Sequence, residues 1–271
     1  MPEAVAVSME TTSLDRSLDA VVSLGRAIFS LAIIFMGIET IVCARLSDHS
    51  LGDQYNIIPV IPWLPAIPWL GYLFGAVLVL CGLGLLTKYR LRSAAWIFGG
   101  IFLLCTLILD VPKNAVDIKS VSLRTGVFEP LSLACLAVLL ARSANPAWLE
   151  RVARYLLAIS LVIFGVDHFL VLQFIADLLP KWIPWHVFWV AFFGAAFIAT
   201  GISTALNVLL RWSSACLGLM FAIYVFTLHL PRVLGLYGVP GAPTNPNEWS
   251  SLLIAMGLWG GLWGLAFINV E

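Results

Sequence analysis

Hydrophobic residues along this chain gather into long runs separated by short polar joints. A helix that crosses roughly 30 Å of hydrocarbon needs about 17 to 25 mainly apolar residues, and eight runs approach or meet that length. Residues 27–43 are interrupted only by Glu39, whereas 69–86 and 93–109 carry no charge. The run 126–141 is short and has Glu129 near its start. Residues 155–175 hold Asp167 and His168, 187–210 and 212–228 are uncharged, and 249–270 close the chain. The pattern predicts an all-α integral membrane protein with eight transmembrane helices.

Composition supports that class. Hydrophobic residues make up 61% of the 271, charged residues only 11%, and the mean hydropathy is +0.98. A soluble domain carries about 25% charge, while a charge at mid-bilayer costs about 2.5 to 3.5 kcal/mol. The lipid bilayer is therefore the first partner of this chain. A net charge of zero gives no clustered basic face, so nucleic acid is excluded as a partner. Residues 1–20 read as a polar tail: Glu3, Glu10, Asp15 and Asp19 stand against Arg16, with no basic and apolar leader pattern. The five cysteines (Cys43, Cys81, Cys105, Cys135 and Cys216) lie in or at the end of apolar runs, form no Cys-x-x-Cys pair and have no zinc-like spacing, so no metal site is expected.

Sorting Lys and Arg by side gives nine on one face and six on the other. Lys88, Arg90 and Arg92 in one tight joint are the strongest cue, and the positive-inside rule places both termini in the cytoplasm.

The chain also resembles itself. A shift of 119 lays Trp63 on Trp182, Gly75 on Gly194, Gly82 on Gly201, Pro112 on Pro231, Lys113 on Arg232 and Glu129 on Glu248. Upstream the shift becomes 128, matching Gly37 with Gly165 and Glu39 with Asp167. The first copy thus carries nine extra residues between Thr40 and Trp63, read as an external loop or a short interfacial helix around 55–59. Two four-helix repeats, 21–142 and 151–271, are expected to lie parallel, since each has an even number of spans.

The outer ends of the spans collect groups a membrane disfavours. The first repeat brings Glu39, Asp110, Lys113 and Glu129, and the second brings Asp167, His168, His229, Arg232 and Glu248. Each unit is expected to pair acid with base at one outer mouth, with Arg232 and Glu248 meeting across the turn-rich loop 233–247. The bland alternatives are headgroup-level charges, a stapling ion pair and core histidines satisfied by their neighbours. Pro62, Trp63 and Pro65, like Pro180, Trp182, Pro184 and Trp185, read as interfacial turns. Gly257 with Gly261, and Gly260 with Gly264, permit close helix contact, either between the copies or in a homodimer.

Leu228-His229-Leu230-Pro231-Arg232-Val233-Leu234, followed by Asn247-Glu248-Trp249-Ser250-Ser251-Leu252, resembles the DoxX-like membrane proteins, whose units have four spans. Gly165-Val166-Asp167-His168-Phe169 with Trp182-Ile183-Pro184 looks like the first part of such a unit. The first copy departs from it, with Asp110 in place of His229 and Glu39-Thr40 in place of Asp167-His168. The resemblance implies the fold, a bacterial inner-membrane setting and a loose link to membrane redox chemistry. It assigns no catalytic residue. The expected function is an accessory subunit binding a small ligand or a periplasmic or membrane redox partner. The alternatives are a quinone-linked oxidoreductase subunit, with His229 or Asp167 handling protons, and a tandem-repeat transporter. No haem, flavin, iron-sulfur or dithiol signature is present, and quinone is the one cofactor class the resemblance brings.

Overall fold

A computed structural model of the chain describes residues 2–48, 68–141, 146–239 and 241–267, with 2–19, 46–48 and 267 described by backbone alone. The expected segment at 55–59 lies outside the described residues. Hydrocarbon offers no partner to a free N–H or C=O, so a lipid-facing chain must satisfy its backbone within each span. Every regular element among the described residues is accordingly helical.

The elements are α1 (Pro2–Asp48), α2 (Pro68–Thr87), α3 (Leu91–Cys105), α4 (Val111–Val116), α5 (Val121–Leu140), α6 (Ala147–Leu170), α7 (Leu172–Leu178), α8 (His186–Leu206), α9 (Leu210–Tyr224), α10 (Leu230–Val233) and α11 (Pro246–Phe267). A π-helical turn, Thr106–Asp110, joins α3 to α4, and another, Val225–His229, joins α9 to α10. Eight stretches are long and apolar enough to span a membrane: Ala20–Arg45, Pro68–Thr87, Leu91–Val116, Val121–Leu140, Ala147–Leu170, His186–Leu206, Leu210–Val233 and Pro246–Ala266. Their outward faces are apolar; Leu80 is 68% exposed and Ile108 59% exposed, which suits lipid and not water.

Each span packs on the next in chain order, and α11 closes back on α1, so the spans form a ring. The ring is pinched at its waist, where α5 meets α11. One apolar core runs through it, with Phe29, Phe98, Leu133, Leu136, Leu157 and Leu217 almost wholly buried.

Glycines set the closest crossings. A Cβ on Gly75 would stand 2.5 Å from the Gly37 carbonyl oxygen, and one on Gly165 would stand 2.6 Å from that of Gly194. Both overlapping glycine patterns of α11 are used inside the chain. Gly260 rests on α1 at Phe29 and Gly25, while Gly257, Gly261 and Gly264 rest on Leu133, Leu136 and Leu140 of α5. That contact pattern leaves nothing in this motif for a homodimer.

Several boundaries differ from the apolar runs for identifiable reasons. The fourth span begins earlier, at Val121, because Ser120 caps it by accepting the Leu123 N–H at 3.4 Å. The third and seventh spans continue past Asp110 and His229 through the π turns. The fifth ends at Leu170, since Val171 leaves helical geometry and starts α7 in a new direction. Apolar residues continue across that bend, so run length alone extends the span to 175. The polar tail is a backbone extension of α1.

Candidate functional site

Chain alternation puts the end of α1, the start of α2, α4, the start of α5, α7, the start of α8, α10 and the start of α11 at one end of the ring, here the polar end. The joint carrying Lys88, Arg90 and Arg92 lies at the opposite end.

Proline shapes two corners of the polar end. It has no N–H to donate, and its ring crowds the carbonyl four residues back, so the helix widens by one residue before Pro112 and Pro231. The Thr227 carbonyl, four residues before Pro231, is satisfied instead by the Tyr237 hydroxyl, which donates to it at 2.9 Å. This turn aims Arg232 at the first turn of α11. Its Nε donates to Glu248 Oε2 at 2.8 Å and its Nη2 to Oε1 at 2.7 Å, a two-pronged ion pair joining α10 and α11. The side chains are 22% and 13% exposed. Glu248 also lies where the positive end of the α11 dipole favours an anion. Trp249 Nε1, donating to the Pro243 carbonyl at 2.7 Å, ties the loop back on the helix.

Asp167 and Glu39 find their partners in the other half. Arg124 of α5 donates through Nε to Asp167 Oδ1 at 3.0 Å and through Nη2 to the same oxygen, and its Nη1 donates to the Ile118 carbonyl at 2.8 Å. This second ion pair joins α5 to α6 and is more enclosed than the first, at 15% and 6% exposure. Ser250 of α11 donates to Glu39 Oε1 at 3.1 Å across 211 residues. Glu39 Oε2 and Asp167 Oδ2 are buried without a hydrogen-bond partner.

His168 is half-buried: its Nδ1 lies 2.7 Å from the Phe164 carbonyl, and the ring packs 5.0 Å from Phe197. His229 meets the Tyr224 ring at 6.5 Å, nearly perpendicular. Asp110 is buried and Lys113 is half-buried at the corresponding corner of the first half, and both are engaged. Glu129 faces a cavity of about 620 Å³ between α5, α7 and α11. Four stations are distinguished at the polar end: Arg232 with Glu248, Arg124 with Asp167, Glu39 with Ser250, and Glu129 at the cavity.

Sequence reasoning left out Arg124, Ser250, Trp189 and Tyr224. Arg124 lay on the right side of the membrane by the charge count, but its partner is 43 residues away in the other half. Trp189 and Tyr224 line a second cavity, of about 490 Å³, between the 179–185 segment, α8 and α9. Its walls are Trp182, Trp185, Phe192, Phe193, Met220 and Ile223, with other apolar residues. The Trp189 indole N–H and the Tyr224 hydroxyl are shielded from solvent and have no hydrogen-bond partner among the described residues. Trp185, 78% exposed, and Trp182, 66% exposed, stand at the rim. Among the described residues no group of three or more His, Cys, Asp or Glu side chains could hold a metal.

Comparison of the chain with family models, with curated proteins and with solved structures finds no match.

Proposed function

We propose that this protein is a DoxX-like accessory membrane subunit that takes a lipid-soluble small molecule from the bilayer into the aromatic cavity between α8 and α9. The observation that carries this reading is the largely aromatic lining of this cavity together with two donors, Trp189 Nε1 and Tyr224 Oη, that lie buried and unpartnered on residues of its wall. A buried donor without an acceptor costs about 1 to 3 kcal/mol. A ligand with a carbonyl or ether oxygen removes that cost, and its flat or branched hydrocarbon body fits an aromatic lining. The cavity lies between α8 and α9, both of which span the membrane, so entry is lateral, from lipid.

A quinone-linked oxidoreductase subunit is the second reading. It is favoured by the edge-on approach of His229 to the Tyr224 ring, 6.5 Å between centroids, which brings an imidazole near the cavity. Transport has less support, because the polar side chains cluster at one end and no described span is broken midway.

A tandem duplication underlies this reading. Both π turns, Thr106–Asp110 and Val225–His229, obey the shift of 119. So do the left-handed residues Lys88 and Arg90 against Asn207 and Leu209. Gly82 meets the Ser30 carbonyl as Gly201 meets that of Ala158. The basic joint at Lys88, Arg90 and Arg92 supports cytoplasmic termini and an outward polar end in a bacterial inner membrane.

Mass spectrometry of small molecules that co-purify in mild detergent tests the proposal. A lipid-soluble, oxygen-bearing compound should be retained by the parent and reduced at least tenfold in Tyr224→Phe with Trp189→Phe, which keeps the rings. Equal retention, or no compound at all, would overturn it. A quinone among the retained molecules would select the second reading.

A further inference from the structure

The waist cavity is independent of the aromatic one and has the opposite chemistry. Its lining joins the apolar Phe174, Ile175 and Ile254 to the polar Glu129, Ser122, Thr125, Asn247, Ser250 and Ser251. Glu129 is half-buried and lines the cavity. No side chain or backbone group among the described residues bonds to it.

The neighbouring cations are committed elsewhere. Arg124 gives all three of its donor nitrogens to Asp167 and Ile118, and Arg232 gives two to Glu248. The hydroxyl protons are also spent: Thr125 donates to the Val121 carbonyl, Ser251 to the Asn247 carbonyl, and Ser250 to Glu39. Those oxygens present lone pairs to the cavity. Apart from the Asn247 amide and the Ser122 hydroxyl, the polar side chains of the wall offer acceptors, with the Glu129 carboxyl as the one ionisable group.

We propose that this cavity binds an organic ammonium group, with the cation on Glu129 and its hydrocarbon against Phe174, Ile175 and Ile254. An ammonium supplies both things the wall lacks, positive charge and N–H donors, and Phe174 adds an aromatic face to an alkylammonium. A bare metal ion does not fit, since one carboxylate and an apolar wall cannot complete an oxygen shell. An anion or a simple carbonyl meets acceptors and is repelled. The ammonium can belong to a free amine or to the headgroup of an aminolipid, because the cavity lies at the membrane-surface end of the spans.

The test uses the full chain in detergent with n-hexylammonium as probe, and hexanol and hexanoate as neutral and anionic controls. Hexylammonium should raise the thermal midpoint in a saturable way, and the two controls should not. Glu129→Gln, which conserves volume, should weaken the effect at least tenfold. Ser251→Phe, made at an exposed position to fill the cavity while leaving the carboxylate, should do the same. In a second arm, protein stripped of lipid is offered phosphatidylethanolamine or phosphatidylglycerol and weighed intact. Selective retention of the ethanolamine lipid, lost in either variant, assigns the lipid headgroup as the source. No selective retention, with hexylammonium still bound, assigns a free amine. Equal shifts by hexylammonium and hexanol, or undiminished binding in both variants, would overturn the proposal.

Discussion

Removing one partner of the Arg232–Glu248 pair measures how far the polar end is desolvated. The two hydrogen bonds, at 2.8 and 2.7 Å, have the short two-pronged geometry of a charge-assisted pair. An ion pair in water is worth about 0 to 1 kcal/mol, whereas stranding a charge in a protein interior costs about 3 to 5 kcal/mol. Side chains 22% and 13% exposed lie between these limits and nearer the second. Arg232→Ala and Glu248→Ala should therefore each destabilise by about 2 to 3 kcal/mol, placing the figure between those two regimes. At about 2 to 4 °C per kcal/mol for a chain of this size class, the midpoint falls by roughly 5 to 10 °C. The double variant should fall little further than the worse single one, a coupling of about 2 kcal/mol. Glu248→Gln keeps the shape and one neutral hydrogen bond, and its loss should be smaller. Membrane proteins commonly unfold irreversibly, so all four variants must be heated at one scan rate in one detergent. Additive losses, or single variants that melt with the parent, would show two independent surface charges and refute the reasoning.

The Arg124–Asp167 pair, being more enclosed, should respond more strongly: Asp167→Asn should lower the midpoint at least as much as Glu248→Gln, with little change between 0.1 and 1 M salt, checked by the same melts. Gly75→Ala should destabilise by several kcal/mol, because its methyl would sit 2.5 Å from the Gly37 carbonyl oxygen. Gly100→Ala meets nothing within 4 Å and should be neutral or stabilising by up to about 1 kcal/mol, as alanine favours helix; a similar response at both positions in thermal melts would contradict the close crossing. In a cysteine-free background, Tyr89→Cys should be labelled by a membrane-impermeant thiol reagent only from the cytoplasm and Leu236→Cys only from outside. Both positions are exposed, so labelling from one common side would break the assigned topology.

The amino-acid sequence determined the class and the span count of this protein, because the cost of placing polar groups in hydrocarbon acts residue by residue and leaves eight apolar runs of spanning length. It also determined one ion pair. Arg232 and Glu248 are joined by a short turn-rich loop, so local geometry alone limits where they can go. Glu39, Asp167 and Glu129 were legible as anomalies but not as partners. Which groups meet them depends on the ring closing α11 onto α1 and setting α5 beside α6, a result of side-chain packing summed over whole helices. Thus Ser250 reaches Glu39 from 211 positions away, Arg124 reaches Asp167, and Glu129 is left facing a cavity. Trp189 and Tyr224 carried no signal, since aromatic residues in a span read as lipid-facing or core until the fold shows their donors unpaired. Hydrophobicity is a property of each residue, whereas hydrogen-bond satisfaction belongs to pairs, and only the tertiary structure decides the pairs.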